Sequence, residues 1–243
     1  MRRDGRAPDQ LRPLNLVLDF TDNPLASVLC ELGRTKVLCT VCAEETVPRF
    51  LHGSGEGWVT AEYSLLPGST DRRTEREAAK GKPSGRTQEI QRLIGRSLRA
   101  VIDAEALGER TFYVDCDVLQ ADGGTRTASV IGAYVALATA LGRLTARGIL
   151  RRSPIREGLA AISVGIVDGT PVLDLPYEED VRASVDMNVV ATASGRLAEV
   201  QGTGEGATFS RAELDALIGL ALGGIAEISA IQEKALAAAK LGA

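Results

Sequence analysis

The sequence predicts an α+β fold. In each half, segments that alternate apolar and polar residues, as strands do, are followed by a long helix rich in alanine. The order of hairpin, strands and helix occurs twice, over about residues 1–150 and 151–243, which indicates internally duplicated βα halves within a single domain. A chain of 243 residues, 44% hydrophobic and 25% charged, buries a sizeable core, so extensive disorder is excluded.

Strand and helix signals follow one another through the first half. Residues 15–20 alternate in polarity, and two β-rich runs around a turn at Gly33 predict a hairpin. Apolar residues recur at three- and four-residue steps over 87–107, which predicts a helix, and a later helix is predicted to end at Gly148. The other segments are strands at 26–32, 36–42, 58–63 and 112–119, loops at 47–57 and 67–85, and a helix at 128–147.

The second half repeats this order and begins with a hairpin around the turn Asp168-Gly169. Two further strands and one or two helices rich in alanine and leucine complete it. Sequence identity between the halves is low, so the duplication is inferred from the order of elements alone. The predicted segments are strands at 160–167, 171–175, 186–193 and 197–201, and helices within 211–240.

Cysteine and histidine usage argues against several kinds of site. Cys30, Cys39, Cys42 and Cys116 lie in apolar, strand-like segments, and we predict that they are small, buried core residues. A zinc site needs about four ligands, and the chain has a single histidine, His52, so neither a zinc site nor a histidine-based hydrolase is expected.

Neither a leader peptide nor a membrane segment is predicted. Residues 1–6 lack the apolar core of a signal peptide. No apolar run approaches the roughly 18–20 residues that span a bilayer. We therefore expect a soluble, cytoplasmic protein that makes no contact with a membrane.

Charge is distributed unevenly along the chain. The net charge is −4, yet residues 71–99 carry nine positive and four negative side chains. Residues 157–243 carry five positive and thirteen negative ones. One basic stretch on an acidic protein predicts a local anionic partner, and a solvated charged loop is the alternative interpretation.

Two glycine-containing segments at predicted helix starts are suited to bind phosphate. Gly123-Gly124-Thr125-Arg126 lies between a strand and a helix, where glycines let the backbone approach an anion and free N–H groups point at it. Arg126 adds the paired donors that match phosphate. Ser84-Gly85-Arg86-Thr87 repeats this arrangement, although Ser84 or Thr87 also fits a plain helix N-cap. The sequence does not fix whether the two segments share one phosphate.

Asp180 and Asp186 are candidates for a divalent-metal site. They are six residues apart, so on a continuous extended segment both would face the same side. Two carboxylates beside phosphate-binding arginines are what a divalent cation needs to bridge protein and phosphate oxygens. Asp186 lies in the apolar run 185–190, where an unpaired carboxylate is costly, whereas Glu178 and Glu179 fit a solvated acidic turn.

Several long motifs together resemble the ribonuclease PH family. They occur in the family's order and extend over nearly the whole chain. The set is far more specific than any one of them. The motifs are Arg3-Asp4-Gly5-Arg6, GWVTAEYSLLP at 57–67, KPSGRTQEIQRLIGR at 82–96, DGGTRTAS at 122–129, DLPYEEDVRASVDMN at 174–188 and EVQGT at 199–203.

The resemblance implies a phosphate-dependent 3′→5′ exoribonuclease that trims the 3′ end of precursor transfer RNA. The implied fold is the duplicated βα core of the ribosomal protein S5 domain 2-like type, assembled as a homohexameric ring, a trimer of dimers. The implied partners are precursor transfer RNA and other RNA with a free 3′ end. Inorganic phosphate is the co-substrate that attacks the terminal phosphodiester, and Mg²⁺ or another divalent metal is the cofactor.

The resemblance also implies roles for particular residues. Asp180 is further considered as the acid that protonates the leaving 3′ oxygen, which requires a raised pKa. The implied phosphate ligands are Arg86, Gly124, Thr125 and Arg126, the acidic pair for a metal or for acid catalysis is Asp180 and Asp186, and the implied RNA contacts are Arg72, Arg73 and Arg76.

One departure from the family concerns RNA binding. After Leu66-Pro67 the family usually has Arg-Ala-Thr, whereas this chain has Gly68-Ser69-Thr70. One expected basic RNA contact is therefore absent, and Arg72 is a candidate to replace it.

Two alternative functions are weighed against the exonuclease. A non-catalytic ring subunit that only binds RNA is disfavoured, because Arg86, Arg126, Asp180 and Asp186 are all present. A small-nucleotide phosphotransferase is disfavoured by the basic loop. A loop with several positive side chains is suited to neutralise several phosphates, which indicates a longer polyanion than a mononucleotide.

Overall fold

The computed structural model describes residues 2–239, apart from the side chains of Ala78 and Lys80. Within this range nine strands form two sheets with helices packed on them, which confirms the predicted α+β class. The strands are β1 (Leu14–Leu18), β2 (Ala26–Leu32), β3 (Thr35–Glu44), β4 (Trp58–Leu65), β5 (Thr111–Gln120), β6 (Leu159–Val167), β7 (Thr170–Leu173), β8 (Val185–Thr192) and β9 (Leu197–Gly204). The helices are α1 (Gly85–Ala100), α2 (Ala104–Leu107), α3 (Thr125–Ala146), α4 (Tyr177–Asp180) and α5 (Arg211–Ala237), and short 3₁₀ turns lie at Arg49–Leu51 and Glu77–Lys80.

The first sheet has the strand order β1-β2-β3-β5-β4. Leu32 of β2 pairs with Thr35 of β3, so the turn between them closes the predicted hairpin. Gly33 in this turn has a left-handed backbone with φ 57°, as two-residue hairpin turns commonly require. β4 pairs in parallel with β5 and forms one edge of the sheet.

The second sheet is antiparallel and has the strand order β7-β6-β8-β9. The predicted hairpin around Asp168-Gly169 is confirmed, and both turn residues have positive φ angles, 49° and 74°. Every residue of β6 is buried. In β8, by contrast, the otherwise buried run is interrupted at Asp186, which reaches the surface of a cavity.

Helix α3 lies between the two sheets and forms the centre of the core. It packs on β2 and β3 on one side and on β6 on the other. Gly132 allows this close approach, because a Cβ there would lie 2.7 Å from the Cys39 Sγ atom. By length and composition alone α3 could cross a membrane, but 83% of its apolar stretch is buried inside the protein, as in a core helix.

Helix α5 covers the second sheet, where it packs on β6 and β7. It begins with a capping box formed by Ser210 and Glu213. One continuous helix, rather than two, follows, and the predicted end at Lys240 lies outside the described residues. α5 is also long and apolar enough to cross a membrane by length and composition, so the expectation that no run approaches such a length is wrong.

The helix predicted over residues 87–107 is in fact two helices. Between α1 and α2, Ile102 forms a β-bridge with Ile155 of the second half. The Asp103 side chain then accepts a hydrogen bond from the Ala106 N–H and caps α2. A contact with a distant segment therefore interrupts the helix, and hydrophobic periodicity does not report such a contact.

Cys42 differs from the other cysteines. Cys30, Cys39 and Cys116 are buried, as predicted, whereas Cys42 is exposed. Cys39 and Cys42 are three residues apart in β3, so their side chains point to opposite faces of the strand. The prediction of a buried side chain was therefore wrong for Cys42.

Candidate active site

The N-terminus of α3 is shaped to receive an anion. Gly123 and Gly124 have left-handed backbones, with φ 70° and 66°, and the N-cap Gly124 makes no side-chain hydrogen bond to the helix. The first N–H groups of this 22-residue helix, at the positive end of its dipole, are therefore not covered by a cap. A Cβ on Gly123 would lie 2.5 Å from the Leu175 carbonyl oxygen, so glycine lets this loop pack against the acidic segment.

Thr125, the first residue of α3, is held by a buried tyrosine. The Tyr63 hydroxyl lies 2.8 Å from Thr125 Oγ1, and the Tyr63 residue is only 2% exposed. Burial raises the pKa of the Tyr63 phenol, so it stays protonated at neutral pH and can donate this hydrogen bond. The charges of Arg86 and Arg126 oppose this pKa shift, which places both guanidinium groups near the N-terminus of α3.

Arg86 lies in the first turn of α1. Ser84 caps this helix, because its Oγ accepts a hydrogen bond from the Thr87 N–H at 3.2 Å. The Arg86 side chain is exposed, and within the described part of the chain it forms no ion pair. Its charge lowers the pKa of Asp180 against the raising effect of burial, so the guanidinium faces the acidic residues.

Arg126 is held by side chains from both halves of the chain. Its Nη1 donates to Gln201 Oε1 at 2.6 Å and lies 3.4 Å from Glu89 Oε1. Gln201 Nε2 also donates to Glu89 Oε1, at 3.1 Å. Among the described residues these contacts engage Nη1 alone, which leaves Nε and Nη2 of Arg126 available for an anion.

Asp180 and Asp186 lie on different elements. Asp180 ends α4, and Asp186 is the second residue of β8. The Ala183 N–H donates to the Asp180 carbonyl oxygen at 3.2 Å, so the chain turns between them. The continuous extended segment assumed from their six-residue spacing is therefore wrong, yet both carboxylates line the same cavities.

Burial raises the pKa of both carboxyl groups. The pKa of Asp186 reaches about 6, because the negative charge of Asp180 and, more weakly, that of Glu205 add to the effect of burial. Arg126 and Arg86 oppose this shift. Two partly buried carboxylates that repel each other in this way favour a bound proton or a bound cation.

The candidate phosphate and acidic residues line two adjoining cavities of about 590 Å³ and 360 Å³. The larger cavity is also bordered by Glu89, Gln201 and Glu205, and the smaller one by the loop Gly123-Gly124-Thr125 and Tyr177. The structure thus brings together all the residues to which the sequence analysis assigned phosphate or metal binding. The residues that line both cavities are Arg86, Arg126, Asp180, Asp186 and Asn188.

The three candidate RNA-binding arginines lie outside these cavities. Arg72, Arg73 and Arg76 are exposed in the loop 67–84, and only Thr70 of this loop is among the residues that line the smaller cavity. The arginines therefore share a loop with one residue of the cavity wall, and their contact with RNA stays a prediction.

Several residues of the site were not singled out from the sequence. Glu89, Gln201 and Asn188 lie within the family-like motifs, and this position is the one sequence feature that points to a role in the site. Their residue type gives no such indication, because isolated polar residues on helices and strands are usually solvated. Glu179 was predicted to be solvated, and this was wrong: its carboxylate is buried and lies 2.6 Å from Arg2 Nη2. The reason is that the N-terminal segment folds over α4.

We expect the Asp186 carboxyl to titrate near pH 6 in the metal-free protein. Replacing Asp180 with asparagine removes a negative neighbour and should lower this pKa. Because the native pKa exceeds the ordinary value of 3.8, the native state binds the proton more tightly, so the free energy of unfolding decreases as the pH rises from about 4 through 6. Carbon-13 NMR of labelled aspartate carboxyls measures the pKa directly.

The matched control for this titration is Asp168→Asn, in the exposed turn between β6 and β7. It removes one carboxylate without touching the cavity and should leave the Asp186 pKa unchanged. An Asp186 pKa near 4 in the parent protein would contradict the expectation.

Comparisons with known proteins identify the family of this chain. Models of the 3′ exoribonuclease family, domain 1 and domain 2, match residues 10–141 and 159–224. Ribonuclease PH from Bacillus subtilis (strain 168) is 58% identical over 237 residues, which cover 97% of this chain and 97% of that protein. Ribonuclease PH from Rhodococcus erythropolis is 60% identical over 237 residues, which cover 97% of this chain and 91% of that protein.

Two solved structures have the same fold. Rice (Oryza sativa) Rrp46 superposes with a TM-score of 0.77 at 19% identity, covering 97% of this chain and 100% of that chain. The Archaeoglobus fulgidus exosome with RNA bound to the active site superposes with a TM-score of 0.79 at 21% identity, covering 96% and 92%. At these identities the likeness concerns the fold alone.

The two matched family models define a 3′ exoribonuclease, and in its fold two sheets enclose a core helix whose N-terminus, with two arginines, faces a pair of carboxylates. Within that class the chain belongs to the ribonuclease PH family, as its nearly full-length relatives and both family models show. The family inferred from the motifs is thereby confirmed.

Proposed function

We propose that the two adjoining cavities are the catalytic centre of this ribonuclease PH. The chain is a phosphate-dependent 3′→5′ exoribonuclease, a nucleotidyltransferase that trims precursor transfer RNA and releases nucleoside diphosphates. One observation carries the assignment of the centre: the starts of two helices, with Arg86 and Arg126, meet Asp180 and Asp186 in one place.

Inorganic phosphate is proposed to bind at the N-terminus of α3. The backbone N–H groups of Gly124-Thr125-Arg126 donate to its oxygens, Arg126 adds Nε and Nη2, and the exposed Arg86 approaches from α1. In this position the phosphate is oriented to attack the terminal phosphodiester of the RNA. The reaction needs positioning and charge neutralisation more than a protein nucleophile, and these donors supply both.

The carboxylates of Asp180 and Asp186 fit a divalent cation such as Mg²⁺. They are hard oxygen donors, and burial raises the pKa of both although the charges of Arg86 and Arg126 oppose the shift, so a bound cation would stabilise their ionised forms. Mg²⁺ commonly binds through one or two carboxylates, with phosphate oxygens and water completing its shell. When bound there, the cation would neutralise charge on the reacting phosphates. As the alternative to metal binding, a raised pKa suits Asp180 for protonating the leaving 3′ oxygen.

RNA is proposed to reach the centre past the loop 67–84. Arg72, Arg73 and Arg76 would contact the RNA backbone, which carries little sequence information. Tyr177, 58% exposed and on the wall of the smaller cavity, offers an aromatic face to the terminal base. On the family resemblance we further propose a homohexameric ring, a trimer of dimers, and on the sequence features a cytoplasmic location.

The proposed function is tested by incubating a 3′-extended transfer RNA with Mg²⁺, with and without inorganic phosphate. We expect nucleoside diphosphates only when phosphate is present, and none when a chelator removes the cation. Nucleoside monophosphates in both incubations would indicate hydrolysis and would overturn the phosphate site. Intact RNA that is still bound would support the non-catalytic ring subunit instead.

A further inference from the structure

A buried arginine outside the two cavities connects their walls. The Arg12 side chain is 5% exposed, and its Nε and Nη2 donate to the two carboxylate oxygens of Asp174 at 2.9 and 2.6 Å. Its Nη1 donates to the carbonyl oxygen of Asp122 at 2.6 Å. The Arg12 backbone N–H also donates to Asp174, at 2.8 Å. One guanidinium therefore holds two segments that are far apart in the sequence.

These two segments carry the functional groups of the site. Asp122 immediately precedes Gly123-Gly124, the loop that leads into the N-terminus of α3. Asp174 opens the segment that leads into α4 and ends at Asp180. The distance between the proposed phosphate ligands and the acidic residue is therefore set partly by the length of the Arg12 guanidinium.

The surroundings are built to accommodate this contact. Asp174 is fully buried and has a positive φ of 54°, an uncommon backbone conformation for a residue with a side chain. A Cβ on Gly33 would lie 2.6 Å from the Arg12 Cδ atom, and a Cβ on Gly124 would lie 3.0 Å from its Nη2. Because buried ion pairs stabilise a fold no better than well-packed apolar side chains, this arrangement points to a geometric role.

We propose that Arg12 is a positioning residue for phosphorolysis. It keeps the phosphate-binding loop and Asp180 at a fixed distance from each other without touching substrate. The inference rests on the proposed phosphate site. Displacing reacting groups by about 1 Å can cost roughly 100-fold in rate, so a link between the two loops has a direct kinetic effect.

Arg12→Lys is the decisive variant. It keeps the positive charge beside Asp174, but a single ammonium group cannot span both Asp174 and the Asp122 carbonyl oxygen as the planar guanidinium does. We expect kcat/KM for phosphate to fall roughly 10- to 100-fold, with KM for phosphate raised and kcat lowered. KM for RNA should stay within about twofold of the parent, because the loop arginines are untouched.

Arg3→Ala is the matched control, since Arg3 lies in the same N-terminal segment and its pair with Glu178 is solvent-exposed. It should leave kcat and both KM values unchanged. If Arg12→Lys does not fold, Asp174→Asn tests the same link, because its amide N–H₂ faces the donors of Arg12. A folded Arg12→Lys or Asp174→Asn enzyme with parental phosphate kinetics would overturn the role of Arg12. An inactive parent would overturn the proposed catalytic centre itself.

Discussion

Replacing Arg126 with alanine is expected to lower kcat/KM for phosphate by roughly 100- to 1000-fold. Arg126 is the residue whose guanidinium is fixed at the N-terminus of α3: Nη1 is bound to Gln201, and no described residue occupies Nε or Nη2, which are available for the anion. Without the Arg126 guanidinium, the charge that develops on the attacking phosphate is stabilised by the helix N–H groups and Arg86 alone. Phosphorolysis rates measured over a series of phosphate concentrations give kcat/KM for phosphate, and RNA-binding isotherms give the affinity for RNA.

The loss should be confined to the phosphate, because Arg126 is not proposed to hold the RNA backbone. RNA affinity of Arg126→Ala is expected to stay close to that of the parent. The fold should tolerate the change, since Gln201 and Glu89 remain hydrogen-bonded to each other at 3.1 Å. Arg196→Ala, in the exposed turn between β8 and β9, is the control and should keep full activity. Equal activity in Arg126→Ala and the parent would exclude Arg126 as a phosphate ligand.

The second large effect is expected for Asp186→Asn, for which kcat should fall roughly 100- to 1000-fold. The amide has the shape of the carboxyl group but carries no negative charge, so the proposed cation site loses half of its protein charge. The Mg²⁺ concentration that gives half-maximal activity should rise together with the loss of kcat. A titration of activity with Mg²⁺ at saturating phosphate and RNA measures both.

The same substitution should make the metal-free protein more stable at pH 8. Burial and the charge of Asp180 raise the pKa of Asp186, which means that the ionised carboxylate is disfavoured in the native state. A neutral amide removes that cost, so the thermal midpoint should rise while activity is lost, as is common when a functional group is replaced. Asp168→Asn serves as control, and unchanged kcat and Mg²⁺ dependence in Asp186→Asn would contradict the metal role.

Local signals account for the elements that sequence analysis identified. The β2–β3 hairpin follows from alternation and a turn glycine, and α3 follows from a long alanine-rich run that ends at a glycine, all of which are local signals. The interruption between α1 and α2 was missed because it depends on a bridge between Ile102 and Ile155. The exposure of Cys42 was missed because apolar neighbours were taken to mean burial, although its side chain faces away from α3.

The chemical groups of the site were determined by the sequence itself. Arg86, Arg126, Asp180 and Asp186 were identified from residue types, helix-start patterns and motifs that resemble a family, which need no coordinates. Their juxtaposition was decided by the tertiary structure alone, because it depends on contacts between distant segments. Arg126 meets Glu89 and Gln201 across 37 and 75 residues, and Arg12 reaches Asp122 across 110. Such contacts depend on how two sheets pack around α3, which no short stretch of sequence encodes.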